Sequence, residues 1–122
     1  MAADACPCAR AHRLIEELRK VVNSAFTDLS SIDVIVNNAG FSVFSAVEEA
    51  ADEQIRAVVD SNLLGSIHVV RAVLPHLRAQ GHGRILQVST AGGQTTCPNF
   101  SYYHSSKWGI EGSSTRSRPG AT

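Results

Sequence analysis

An excess of charge of either sign is missing from this sequence. Its 11 lysines and arginines are matched by 11 aspartates and glutamates, giving a formal net charge of zero. No basic tract stands out, so nucleic-acid binding has no electrostatic footing. No apolar run approaches the roughly 20 residues that span a bilayer. Met1 to Arg10 lacks the apolar centre of a signal peptide. A soluble, cytoplasmic protein with no membrane association is expected. Cysteine is scarce, with 3 in all (Cys6, Cys8 and Cys97), an odd count that does not suggest a disulfide framework. Cys6-Pro7-Cys8 with His12 nearby falls short of the four ligands at recognised spacings that structural zinc wants. No metal is expected, and these thiols read as free groups on a mobile terminus.

What is present suits one small globular domain: 122 residues, of which 43% are apolar. Arg10 to Leu29 reads as an amphipathic helix, with Leu14, Leu18, Val21, Val22, Ala25, Phe26 and Leu29 on one face. Ile32-Asp33-Val34-Ile35-Val36 is short and β-branched, as in a strand covered on both faces, and Asn37-Asn38-Ala39-Gly40 closes it with turn chemistry. Asp52 to Leu77 is a second helix, with Asp52 as its N-cap and Pro75 placed to bend or end it. A Gly81-His82-Gly83 turn leads into a second buried strand around Ile85-Leu86-Gln87-Val88. A third helix begins near Ser101 and runs through Gly112. Alternation of this kind implies an α/β fold with a parallel sheet and right-handed crossovers.

Tyr103 and Lys107 are four residues apart, which puts both on one face of the third helix. Tyrosine ordinarily holds its proton to about pH 10. A neighbouring ammonium favours the phenolate, so Lys107 would ease proton transfer at Tyr103. The spacing alone arises by chance on many helices. Tyr102 falls on a different face and is assigned to packing or to a substrate rim.

The surrounding segments add to this pair. Ile32 to Gly40 resembles the fourth strand and Asn-Asn-Ala-Gly motif of the short-chain dehydrogenase/reductase family. Asn62-Leu63-Leu64-Gly65 resembles that family's mid-helix asparagine segment. Gly83 to Thr90 resembles its fifth strand and the start of its serine loop. Pro98 followed by Tyr103-His104-Ser105-Ser106-Lys107 resembles its tyrosine–lysine signature. The resemblance covers Leu14 to Gly112. It implies a partial Rossmann-like, doubly wound parallel sheet in a three-layer α/β/α arrangement. It also implies an NAD- or NADP-dependent oxidoreductase acting on a small-molecule alcohol or ketone. Tyr103 would exchange a proton with the substrate oxygen. Lys107 would support Tyr103 and hold the nicotinamide ribose. Asn62 would interrupt the helix ladder and hold a water in a proton relay. Asn38, Ala39 and Gly40 would pass near the adenosine side of the cofactor, and at Gly40 the missing Cβ would let backbone approach a ligand. For Asn38 a purely structural role, tying one strand end to its neighbour, stands equally open.

The family's serine sits thirteen residues before its tyrosine, where this sequence has Thr90. A threonine hydroxyl donates and accepts as serine does. Ser89, one residue earlier, would face the other way on extended backbone and could serve only if the loop shifts. Both are candidates for contact with substrate. Glycine does not occur before Gly40, so the glycine-rich turn that cradles a pyrophosphate in such folds is not in this sequence. The stretch 1–112 reads as a partial nucleotide-binding domain, and Ser113 to Thr122 as a disordered tail. A truncated or frame-altered reading of a longer family member is expected, with impaired cofactor binding and activity. A core this small, with an open sheet edge, predicts marginal stability unless a second copy or a full-length homologue covers it.

Overall fold

In the computed structural model, residues 7–114 are described. Helix α1 spans Pro7–Asp28 and strand β1 spans Val34–Asn37. Helix α2 (Asp52–Val59), a π-helical turn (Asp60–Leu64) and helix α3 (Gly65–Gln80) follow. Strand β2 (Arg84–Gln87), a short 3-10 turn (Ala91–Gly93) and helix α4 (Ser101–Ser114) complete the described chain. Cys6 lies outside the described residues, as does the predicted tail from residue 115. Ser113 and Ser114 belong to α4.

β1 and β2 pair in parallel, with Val34 opposite Arg84, Ile35 opposite Ile85, Val36 opposite Leu86 and Asn37 opposite Gln87. Bonds from Arg84 N–H to Asp33 O (2.8 Å) and from Val88 N–H to Asn37 O (3.0 Å) extend the ladder at each end. Alternation along the strands puts Ile35, Asn37, Ile85 and Gln87 on one face. That face is half-buried or buried and meets α3, whose Ser66 carbonyl accepts from Asn37 Nδ2 at 3.1 Å. The opposite face carries Val34, Val36 and Leu86, which are 50%, 58% and 51% exposed. The strands therefore do not have both faces covered, as their β-branched composition predicted. Of the three layers implied, the described residues supply the sheet and one helical layer.

α1 also buries a narrower stripe than predicted. Ile15, Leu18, Val22, Ala25 and Phe26 turn inward, whereas Leu14, Val21 and Leu29 are exposed. Its partner is α3: the Phe26 ring stacks on His76 at 4.5 Å, and the His76 ring meets Asn23 Oδ1 at 2.7 Å. The stripe is narrow because one helix is all that α1 has to cover.

The N-cap of α2 is Ala51, and Asp52 is the first helical residue instead of the predicted cap. The cap works from the other side: Gln54 Oε1 accepts the Ala51 N–H at 3.0 Å, which is the reaching-back half of a capping box. Pro75 neither ends the helix nor marks its last turn, since α3 continues to Gln80. Proline forfeits one ladder bond, and here it does so on an exposed position. Gly81, at φ 84°, closes α3 by donating its N–H to Leu77 O at 2.9 Å.

The continuous helix Asp52–Gln80 is 29 residues long, and by length and composition it is apolar enough to cross a membrane. Asp60, His68, Arg71 and His76 interrupt it, so no unbroken apolar run marks it in the sequence. In the fold it is the central helix. It buries Val58, Asn62, Ser66, Val73 and Leu77, and together with Val22 and Ile110 the apolar members of that set are the core.

Candidate active site

The site lies beyond the carboxyl ends of the two strands, where ligands bind in open parallel α/β sheets. Three segments meet there: Asn38 to Ser42 after β1, Val88 to Thr90 after β2, and the first turns of α4. Between them is a cavity of about 250 Å³ lined by Asn38, Gly40, Phe41, Ser42, Val88, Ser89, Tyr103 and Lys107.

Asn62 sets the position of the first segment. It is fully buried in the π-helical turn, where the Gly65 N–H reaches back five residues to Asp60 O. Such a turn inserts one extra residue into the helix. The asparagine amide brackets one residue of the loop: its Oδ1 accepts the Phe41 N–H at 2.8 Å, and its Nδ2 donates to Phe41 O at 2.7 Å. Nδ2 also donates to Ser106 Oγ at 3.1 Å, and Ser106 donates to the Tyr103 carbonyl at 2.7 Å. The central helix, the loop after β1 and the Tyr103 turn of α4 are thus joined through one side chain. Ser66 Oγ completes the set by donating to Asn62 O at 3.1 Å.

The bracket brings Gly40 close. A Cβ at that position would lie 3.0 Å from Asn62 Oδ1 and 3.5 Å from Lys107 Nζ. Lys107 is itself only 4% exposed. Its ammonium donates to Val88 O at 3.3 Å and stands 5.8 Å from the centre of the Tyr103 ring. Among the described residues no carboxylate pairs with it. An ammonium has three donors, so Lys107 keeps capacity for a ligand in the cavity it lines. An ion buried without a counter-charge is costly unless something else is bound beside it.

Asn37 and Asn38 divide the two roles that the sequence left open for Asn38. Asn37 ties the strand ends: it is 5% exposed, donates to Gln87 Oε1 at 2.8 Å, and its carbonyl accepts from Gln87 Nε2 at 3.1 Å. Asn38 lines the cavity. Ala39 is exposed and does not line it.

On the second loop Ser89 lines the cavity and Thr90 does not. The Ser89 hydroxyl is buried with no hydrogen-bond partner. Thr90 has extended backbone, φ −155° and ψ 165°, so its side chain leaves on the other side from that of Ser89. Its carbonyl accepts the Gly93 N–H at 2.9 Å and opens the 3-10 turn. Tyr102 donates its hydroxyl to the Val47 carbonyl, which makes it a packing tie to the loop before α2. Asn37, Phe41, His104 and Ser106 carry no local pattern that marks them for the site. Burial alone would have flagged the polar ones, and burial is a tertiary property.

A family model described as short chain dehydrogenase matches residues 6–118. The chain belongs to the short-chain dehydrogenase family. An oxidoreductase from Botryotinia fuckeliana is 41% identical over 99 residues, which is 81% of this chain and 36% of that protein. A carveol dehydrogenase from Mycobacterium avium, solved in complex with NAD, superposes with a TM-score of 0.76 at 33% identity, over 80% of this chain and 36% of that one. NADP-bound ElxO superposes with the same TM-score, 0.76, at 25% identity, over 80% of this chain and 40% of that one. The chain therefore spans well under half the length of the family members it matches. Within that span it has the parallel, Rossmann-type α/β arrangement of the family.

Proposed function

We propose that this chain carries the proton-transfer and nicotinamide-facing part of an NAD(P)-dependent oxidoreductase that acts on a hydroxyl or keto group. The observation that carries the proposal is the shared cavity. Tyr103, the buried Lys107, Ser89, Asn38 and Gly40 all border one space at the carboxyl ends of parallel strands. Two solved relatives have NAD or NADP at the corresponding fold. The residues fit such a group: Gly40 leaves room that a Cβ would fill, and Lys107 has donors to spare for a ribose hydroxyl.

Nicotinamide, when bound, gives or takes the hydride. The chain's own part is the proton. In reduction Tyr103 Oη donates its proton to the substrate oxygen; in oxidation it takes that proton back. Lys107, with its Nζ 5.8 Å from the centre of the Tyr103 ring, is the positive charge beside this exchange. A turn of the Val88–Thr90 loop would bring the Thr90 or Ser89 hydroxyl to the substrate oxygen; as folded, Ser89 Oγ is buried beside Gly93 and Thr90 lies off the cavity wall. Asn62 acts through Phe41 and Ser106, holding Gly40 and the Tyr103 turn at a fixed separation. Asn38, Ala39 and Gly40 form the wall along which the cofactor runs.

The test is a titration of the purified chain with NADH and NADPH, followed by nicotinamide fluorescence. Enhanced or shifted emission that Lys107→Met abolishes supports the reading. No change at millimolar cofactor defeats it.

A second reading rests on exposed apolar groups. Trp108 and Leu64, at 53% and 41% exposure, stand out from the helical layer. They suit a non-catalytic role in which the chain pairs with a full-length homologue, or with itself, through its helices. Co-purification with such a homologue, lost on Trp108→Lys, supports that reading; a monomer unaffected by the homologue counts against it.

A further inference from the structure

His104 is buried, at 7% exposure, and the chemistry above does not use it. Both of its ring nitrogens are spent on one loop. Nδ1 lies 2.9 Å from Gly92 O, and Nε2 lies 2.9 Å from the Cys97 nitrogen. The Cys97 N–H is a donor, so Nε2 must be the bare, accepting nitrogen. The ring proton is then on Nδ1, where it donates to Gly92 O. The two bonds close the Gly92–Cys97 segment like a clasp. The fit is tight: a Cβ on Gly92 would lie 2.4 Å from Nδ1 and 2.6 Å from Cε1.

The clasped loop continues the segment that carries Ser89 and Thr90. Gly93 N–H bonds Thr90 O, and Ser89 Oγ lies 2.8 Å from where a Gly93 Cβ would be. The His104 ring also stands 6.0 Å from the Tyr103 ring, centre to centre. The titratable groups beside it are Cys97 on the loop and Tyr103 on α4, with Lys107 and Glu111 further along that helix. From Ala91 to Phe100 the sequence has no aspartate, glutamate, lysine or arginine. Nothing on the loop offsets an imidazolium charge.

We propose that His104 is a positioning residue. In its neutral, Nδ1-protonated form it clasps the loop and so fixes the backbone at Ser89, which shares the cavity wall with Tyr103. Protonation turns Nε2 from an acceptor into a donor facing the Cys97 N–H, and the clasp opens. The shape of the site is therefore sensitive to acid through a residue that touches neither substrate nor cofactor. Its bearing on catalysis rests on the oxidoreductase reading; the clasp itself does not.

The experiment uses the full chain labelled with nitrogen-15, at about pH 8 and about pH 5, on either side of the histidine range. Long-range imidazole spectra report the tautomer, and amide exchange reports the Cys97 N–H. At the higher pH the spectrum shows the Nδ1–H tautomer, and the Cys97 amide exchanges roughly tenfold more slowly than an unbonded one, as for one net hydrogen bond. At the lower pH that protection is gone after correction for intrinsic exchange. His104→Gln keeps an acceptor within reach of Cys97 and cannot take up a proton, so it retains protection at both values. Gly92→Ala displaces the ring and loses protection at both. An Nε2–H tautomer or an imidazolium at the higher pH overturns the proposal, as does a glutamine variant with the same acid loss. Neither readout needs a cofactor. A chain that shows the clasp but never binds NADH or NADPH defeats the oxidoreductase reading alone, and a chain that binds them without the clasp defeats this proposal alone.

Discussion

The two faces of the small sheet are opposites. On the helical side polar groups are buried and joined: Asn62 holds Phe41 and Ser106, Asn37 holds Gln87 and Ser66, and Lys107 sits on Val88 O. On the other side Val34, Val36 and Leu86 are half exposed and meet no helix among the described residues. The comparison teaches where the order of the site comes from. Its walls are fixed where the central helix meets α4 and the loop after β1, through hydrogen bonds from a buried asparagine to the Ser106 hydroxyl and the Phe41 backbone. The open sheet face contributes apolar surface but no geometry to the cavity.

This contrast can be broken or sharpened by substitution. Asn62→Ala has the largest expected effect, because it leaves the Phe41 N–H and carbonyl without their partner and Ser106 without its donor. A loss of about 3 kcal/mol is expected from unsatisfied buried groups, read from urea or thermal unfolding. A loss under ~1 kcal/mol would mean that the helical junction does not organise the site. Asn37→Ala comes next, at about 2 kcal/mol, since its side-chain bonds to Gln87 Oε1 and to the Ser66 carbonyl of α3 go with it. The same unfolding curves check it, and the Gln87 side-chain amide shifts in the NMR spectrum.

Lys107→Met separates stability from function. Removing an unpaired buried ammonium in favour of a similar-sized apolar chain is expected to change stability by less than ~1 kcal/mol, or to raise it. Nicotinamide binding, read by fluorescence, is lost. If stability falls steeply instead, the lysine is a structural group. The smallest effect belongs to Val36→Thr on the open face, within ~0.5 kcal/mol as for other surface changes. A much larger loss in unfolding, or a change of oligomeric state on a sizing column, would show that this face is covered in solution by another chain.

Much of this architecture is legible in the order of residues. The alternation of helical and β-branched stretches fixes the element order, and the strands fall within two residues of their predicted places. The cavity brings together Tyr103, Lys107, Asn38, Gly40 and Ser89 from three segments that the sequence marks separately. Where structure and sequence pattern differ, the pattern is local and its context decides. Asp52 looked like a cap, yet Gln54 caps from inside the helix. Thr90 holds the expected spacing from Tyr103, yet the backbone at Thr90 leaves Ser89 to line the cavity. Leu14 and Val21 sit on an apolar stripe, yet only the part of that stripe facing α3 is buried.

By itself the sequence determined which segments are helix or strand, and it marked most of the side chains that line the cavity. Those choices follow from side-chain type and from periodicities of a few residues. Tertiary structure alone decided which of two adjacent residues faces the cavity, which asparagine ties the strands and which lines the site. It also decided that His104 spends both ring nitrogens on one loop. These are matters of a single turn or a few ångströms. They depend on how elements far apart in the chain satisfy one another's backbone groups, and no local pattern encodes that.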